Sequence, residues 1–158
     1  LKKLKDAETG YYLAPLRLLA HEIYEELNDD GYPTDLVTGE EHIFTENSKY
    51  RSSTIEMASF TKPVDVAIID EIQMIADPYR GWAWTQAVVG VPAETIILAG
   101  SADAIPNVKH LVQDILGEEL ELVGFERKNQ LIACKRIGRI DQFHWQTEIQ
   151  DFAVRDLQ

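Results

Sequence analysis

The sequence predicts an α/β domain, a mainly parallel sheet with helices on both faces. Three observations carry this. Val66, Ala67, Ile68 and Ile69 form a short apolar run that stops at two acids, Asp70 and Glu71. A buried parallel strand looks like this when it delivers carboxylates to the carboxyl edge of a sheet. A second run of this kind, residues 94–100, leaves through Gly100. Ahead of both, Leu16, Leu19, Ala20, Ile23 and Leu27 recur at helical spacing.

The remaining elements follow in chain order. Residues 1–8 are charged and mixed and read as the tail of a helix. Residues 10–14 are a strand entered through Gly10 and broken by Pro15. The helix over 16–28 closes at Asn28-Asp29-Asp30-Gly31, a glycine C-cap signal. Residues 35–38 form a second short strand that ends at Gly39, and 42–51 read as a polar loop. Ser53-Thr54-Ile55-Glu56-Met57 alternates as a third strand, and Thr61-Lys62-Pro63 turns the chain into the central one. Residues 81–89 are helical, with Trp82, Ala83, Ala87 and Val88 as the packed face. Trp82 and Trp84 offer base stacking, but a tryptophan beside Ala and Val on a short helix more often packs in the core. Residues 108–116 form a further helix closed by Gly117, and 119–125 a final strand. Beyond residue 127 a basic, helical extension is expected over 128–158, with an amphipathic helix at 140–157. Its arginines and lysines read as a solvated flank, or as a place for nucleic acid or a protein partner.

At 158 residues the chain is long enough for one domain with its own core. No apolar run approaches the length of a transmembrane helix, so no membrane association is expected, and the start carries no signal-peptide pattern. Cys134 is the single cysteine, which excludes an internal disulfide and a cysteine-based zinc site and favours a reducing compartment. The formal net charge of −12 repels nucleic acid on average and argues against a simple nucleic-acid-binding module. It argues less against an enzyme that holds a strand in one groove through backbone amides.

The chemistry centres on Asp70 and Glu71. A hydrophobic strand ending in two acids can place one carboxylate on a Mg²⁺ shell and the other near an attacking water. On the residues alone, the pair can equally end a strand and cap the next turn. His21-Glu22-Ile23-Tyr24-Glu25 is not a zinc motif, because its fifth residue is glutamate rather than a second histidine. A metal-dependent hydrolase using Asp65, Asp70, Glu71 and Asp77 would need those carboxylates to converge. Strand alternation sets Asp65 and Asp70 on opposite faces.

Several stretches in order resemble the Suv3 group of superfamily 2 ATP-dependent RNA helicases. Asp70-Glu71-Ile72-Gln73 looks like their motif II, the Walker B or DExH/D box. It is followed by Met74-Ile75-Ala76-Asp77-Pro78 and the unusual Arg80-Gly81-Trp82-Ala83-Trp84-Thr85. Tyr12 to Ala20 resembles motif Ia, Thr38-Gly39-Glu40-Glu41 motif Ib, and Thr54-Ile55-Glu56-Met57 the element after it. Gly100-Ser101-Ala102 stands at motif III, with Asp103 where the pattern has Thr.

The resemblance covers about residues 11–127 and implies a first RecA-like domain of a P-loop NTPase, using ATP and Mg²⁺ and binding RNA or DNA. By position, Asp70 would hold Mg²⁺ and Glu71 would orient or deprotonate the attacking water. Gln73 would sense the γ-phosphate side and touch motif III. Ser101 is a candidate at the nucleotide, balanced against a plain helix N-cap. Arg17, Thr38, Gly39 and Thr54 would line the nucleic-acid path, although alone Arg17 reads as a solvated side chain and Thr54 as a half-buried β-former.

The sequence contains no Gly-x-x-x-x-Gly-Lys-Ser/Thr run, whose amides and lysine hold the phosphates. The resemblance therefore implies that the first strand with its phosphate loop and the second RecA-like domain are missing partners, and that this chain alone is inactive. A non-catalytic RecA-like interaction module is the alternative. Proteins of the group are mitochondrial or bacterial, so a mitochondrial matrix or a bacterial cytoplasm is expected.

Overall fold

The structure, a computed structural model, describes residues 1–123 and 130–135; at 123 and 130–135 only the backbone path is described. The helix expected over 140–157 lies outside the described residues. In chain order the elements are α1 (Lys2–Lys5), β1 (Gly10–Ala14), α2 (Arg17–Asp29), β2 (Thr34–Val37), β3 (His42–Ile43), β4 (Tyr50–Thr54), β5 (Val64–Ile69), α3 (Gly81–Gly90), β6 (Ala93–Gly100), α4 (Ile105–Lys109), β7 (Glu119–Val123) and β8 (Gln130–Lys135).

One sheet runs through the domain in the order β3-β2-β4-β1-β5-β6-β8-β7. Its middle, β2-β4-β1-β5-β6, is parallel throughout. The outer strands β3, β8 and β7 add antiparallel pairs. The chain leaves β1 toward β2, returns as β4, and then crosses to the other side of β1 as β5. Ligands of open α/β sheets bind beyond the carboxyl ends of the strands, where the winding reverses.

Alternation along the central strands divides the core in two. Tyr11, Leu13, Ala67, Ile69, Ile96 and Leu98 face α3 and α4. Tyr12, Ala14, Ile68 and Ile97 face α2, where Ala20, Ile23 and Leu27 meet them. The helices on both faces, the mainly parallel sheet and the central place of β5 are as the sequence predicts.

Several boundaries differ. The expected loop at 42–51 contains β3 and the start of β4, and the strand expected at 53–57 lies earlier, with Ile55–Met57 forming a 3-10 turn. Ser52, Ser53 and Thr54 are polar yet buried. Ser52 is accommodated because its hydroxyl donates to the Ala20 carbonyl of α2 at 2.7 Å. Alternation of apolar residues is blind to a strand of that composition. The helix expected at 108–116 begins at Ile105 as α4 and widens into a π-type segment over His110–Ile115. Gly117 then takes φ +65°, as a closing glycine should. Residues 130–135, expected in a helical extension, form β8 and pair with β6 from Thr95 to Gly100.

Candidate functional site

The acidic corner is built at the carboxyl ends of β5 and β6. Asp70 follows β5, and its N–H donates to the Leu13 carbonyl of β1 at 3.0 Å, which carries the ladder one step past the strand. One carboxylate oxygen, Oδ1, accepts the Glu71 N–H at 2.8 Å; the other, Oδ2, accepts the Tyr12 hydroxyl. Burial raises the Tyr12 phenol well above its ordinary range, and the hydrogen bond to Asp70 adds to the rise. The phenol therefore serves Asp70 as a neutral donor. The Asp70 carbonyl accepts the indole N–H of Trp84 at 2.9 Å. This residue is held from the backbone and the side chain at once.

Glu71 adopts φ 53° and ψ 49°, the left-handed region. For a residue with a Cβ this costs about 1–2 kcal/mol, and such strain gathers at functional positions. The turn throws the side chain toward Gln73, whose amide nitrogen donates to Glu71 Oε2. The other end of the Gln73 amide, Oε1, accepts the Ser101 N–H at 3.2 Å. One glutamine thus ties the end of β5 to the end of β6. Gly100 makes this approach possible, since a Cβ there would lie 2.3 Å from Gln73 Oε1. Ser101 starts the 3-10 turn Ala102–Ala104, but its hydroxyl makes no capping bond. The sequence weighed that hydroxyl, and the structure uses the backbone amide.

The fit of this corner to Mg²⁺ can be judged from its donors. Asp70 offers two oxygens with one hydrogen bond accepted at each, which leaves lone pairs free. Mg²⁺ is commonly held by one or two carboxylates together with substrate phosphates and water. That suits Asp70 with Glu71 nearby. The four-acid hydrolase does not form. Asp65 turns its carboxylate to the N–H groups of Glu8 and Thr9 at 3.1 and 3.0 Å, at the amino end of β5. Asp77 accepts the N–H groups of Tyr79 and Arg80 at 2.9 and 2.8 Å. Among the described residues no cluster of three or more His, Cys, Asp or Glu could hold a metal unaided.

Beside the corner, along the same edge, a groove of about 410 Å³ runs over the ends of β1, β2 and β4. Of the residues expected on a nucleic-acid path, Arg17, Gly39 and Thr54 line it. Thr38 does not. It is buried, with its hydroxyl accepting the N–H groups of Glu40 and Glu41 at 3.3 and 3.0 Å. It shapes the turn that presents Gly39. Nothing lies within 4 Å of a Cβ built on Gly39, so packing does not demand glycine there, and its bare backbone faces the groove. Arg17 is exposed and pairs with Glu40 across the mouth.

The structure adds residues to which the sequence assigned no role. Glu56, Met57 and Arg80 also line the groove. The Arg80 guanidinium donates to Glu56 Oε1 at 2.9 Å and to the Pro15 carbonyl at 2.7 Å, and lies 5.1 Å from the centre of the Trp84 ring. These contacts account for the arginine and the second tryptophan of the Arg-Gly-Trp-Ala-Trp run. A Cβ on Gly81 would meet the Ile75 carbonyl oxygen at 2.5 Å, so glycine lets α3 pack on the preceding turn. Ala83 and Trp84 are core, as expected. Trp82 is 51% exposed instead, because it shares the outer face of α3 with Gln86 one turn on.

A mainly parallel sheet that sets two acids and a glutamine on one corner of its carboxyl edge, with an open groove along the same edge, has the form of a helicase-type α/β domain. The family comparison agrees: residues 1–125 match the DEXQ-box helicase domain of Suv3, and Asp70-Glu71-Ile72-Gln73 spells that box. The chain belongs to this family. It is 50% identical over 131 residues to the zebrafish (Danio rerio) "ATP-dependent RNA helicase SUPV3L1, mitochondrial", covering 80% of this chain and 17% of that protein. It is 48% identical over 147 residues to the Candida albicans "ATP-dependent RNA helicase SUV3, mitochondrial", covering 90% and 20%. The Arabidopsis thaliana "DExH-box ATP-dependent RNA helicase DExH16, mitochondrial" is 41% identical over 135 residues, covering 85% and 24%. The chain thus spans about a fifth of the length of these relatives. Among solved structures, a chain of the Pnkp1/Rnl/Hen1 RNA repair complex superposes with a TM-score of 0.53 at 13% identity, over 84% of this chain and 39% of that one. An Escherichia coli rRNA methylase superposes at 0.51 and 8%, over 83% and 58%. These likenesses show an α/β fold.

Proposed function

We propose that the chain forms part of the first RecA-like domain of an ATP-dependent RNA helicase, with the acidic corner as its nucleotide side and the neighbouring groove as its strand path. The observation that carries this is the convergence of Asp70, Glu71, Gln73 and the Ser101 amide at the carboxyl edge of β5 and β6. Asp70 would hold Mg²⁺ through water, with Tyr12 keeping its carboxylate oriented. The ion, when bound there, would neutralise charge on the phosphates. Glu71 orients the attacking water and accepts its proton. Gln73 reports the state of that corner to Ser101. Arg17, Gly39 and Thr54 lie along the RNA. A DNA strand fits the same backbone contacts, so RNA rests on the names of the relatives.

The chain carries no phosphate-binding Gly-Lys run, so on this reading it hydrolyses little or no ATP by itself. Much of the electrostatic stabilisation of phosphoryl transfer comes from such a loop. The relatives named above are mitochondrial. The mitochondrial matrix is the compartment we propose, and the bacterial cytoplasm has no counterpart among them. No helix among the described residues is long and apolar enough to cross a membrane.

The test is Glu71→Gln in a helicase that carries this chain together with a phosphate loop and a second RecA-like domain. Hydrolysis should fall at least about a hundredfold while ATP binding persists. Unchanged hydrolysis in that variant, or in Asp70→Ala, overturns the reading.

A further inference from the structure

We propose that Arg80 is the positioning residue that links the groove to the acidic corner, so that a strand lying in the groove changes the environment of Asp70 and Glu71 through Trp84. The proposal rests on the helicase reading above and adds to it a specific physical route.

Two neighbouring strand ends, those of β4 and β1, meet at one guanidinium, and the end of β5 beside them is reached from it through Trp84. Its Nε donates to Glu56 Oε1, two residues past β4, at 2.9 Å. Its Nη2 donates to the Pro15 carbonyl, just past β1, at 2.7 Å. Its central carbon lies over the Trp84 ring, 5.1 Å from the ring centre, and the indole N–H of that ring holds the Asp70 carbonyl past β5. Pro15, Glu56 and Arg80 all line the groove. Trp84 is fully buried, so no strand reaches it directly.

The geometry suits transmission for two reasons. A guanidinium is a rigid planar fork, and a displaced hydrogen bond on one edge rotates the whole group over the ring beneath it. At the far end, Glu71 sits in a strained left-handed turn whose N–H is tied to Asp70 Oδ1. A residue in a sparsely populated conformation is sensitive to small shifts in what holds it. A lysine could hold one of these contacts but not span them.

The experiment uses the isotope-labelled chain and single-stranded oligouridylate RNA, followed by amide and indole resonances. RNA is added until its fluorescence anisotropy saturates. In the wild type, the Leu16 amide at the groove, the Trp84 indole N–H and the Glu71 amide should all shift. In Arg80→Gln, brought to saturation, Leu16 should still shift while Trp84 and Glu71 stay in place. Arg80→Lys should behave the same way and carries the test if Arg80→Gln does not give a folded spectrum. Movement of Trp84 and Glu71 in either variant overturns the proposal. RNA bound to the wild type with Trp84 stationary overturns the link alone. No RNA binding at saturating concentration overturns the groove assignment, and the link with it.

Discussion

Gly100 closes β6 directly against the turn that carries Gln73, and replacing it with alanine tests the geometry of the acidic corner. A Cβ at that position would stand 2.3 Å from Gln73 Oε1, 2.9 Å from Ile72 Cγ2 and 2.9 Å from the Ile72 backbone nitrogen. The first contact is the end of a flexible side chain and can yield by swinging away. That breaks the Gln73 to Ser101 hydrogen bond, worth about 0.5–1.5 kcal/mol. The other contacts involve buried Ile72 and its backbone, which have nowhere to go. Overpacking of this kind costs about 1–3 kcal/mol. Gly100→Ala should therefore destabilise the chain by about 2–4 kcal/mol, measured by urea unfolding. A double-mutant cycle separates the two parts. Gln73→Ala removes the side chain that collides, so Gly100→Ala should cost less in its presence, and the two changes should be non-additive by at least about 0.5 kcal/mol. A cost for Gly100→Ala below about 0.5 kcal/mol, or simple additivity with Gln73→Ala, would refute the packing described for the corner.

Glu71→Gly should unfold at higher urea than Glu71→Ala, by about 1 kcal/mol, since only glycine accepts the left-handed turn without strain; equal stability would mean that Glu71 is not strained. Trp84→Phe leaves the Asp70 carbonyl without the indole N–H and should cost about 1–3 kcal/mol in the same assay. The Tyr50 phenol is raised above its ordinary range, chiefly by burial, and donates to the Ala7 carbonyl at 2.6 Å. Its pKa is higher folded than unfolded, so its contribution is complete below about pH 10 and is lost as pH climbs above that value. Unfolding titrations above pH 10 should show a decline that is shallower in Tyr50→Phe.

The parts of the fold visible in the sequence were those built from apolar contrast. β5 and β6 are runs of Val, Ile, Leu and Ala that end at acids or glycine, and α2 shows its buried face as Ala20, Ile23 and Leu27. What stayed hidden lacked that contrast. β4 is largely polar and buried, with hydroxyl bonds at Tyr50 and Ser52 that no hydropathy pattern registers. β8 sits in a stretch whose flanking basic residues read as surface. At the site, the acids and Gln73 were legible because their order along the chain is itself the motif. The turn-capping of Thr38 was not legible, because a threonine beside a glycine can either face a ligand or cap a turn, and the positions of the Glu40 and Glu41 amides show the cap. Tyr12, Glu56 and Arg80 come from separate elements, so their meeting depends on the strand order β4-β1-β5, which periodicity does not reveal. The Arg80-Gly81-Trp82-Ala83-Trp84 run did give a signal through its composition, although which tryptophan is buried follows only from where α3 begins.

A net charge of −12 is compatible with a strand path because of how the groove uses its charges. Its two arginines are each paired with an acid, Arg17 with Glu40 and Arg80 with Glu56. Part of the acidity of the chain is therefore spent at the groove itself, and the bare field there is weak. Arg17 and Glu40 are both largely exposed, and an exposed pair of this kind is worth little, about 0–1 kcal/mol. On the proposed strand path, a phosphate would displace Glu40 at small cost and take Arg17. Arg80 differs, because its donors are committed to Glu56 and the Pro15 carbonyl and its face to Trp84. It is held as part of the scaffold. On the helicase reading, the two arginines divide the work of the groove between an exposed ion pair that can receive a phosphate and a more firmly held group whose contacts a bound strand has to displace. Neither needs a basic surface, which is why bulk charge says so little about the site.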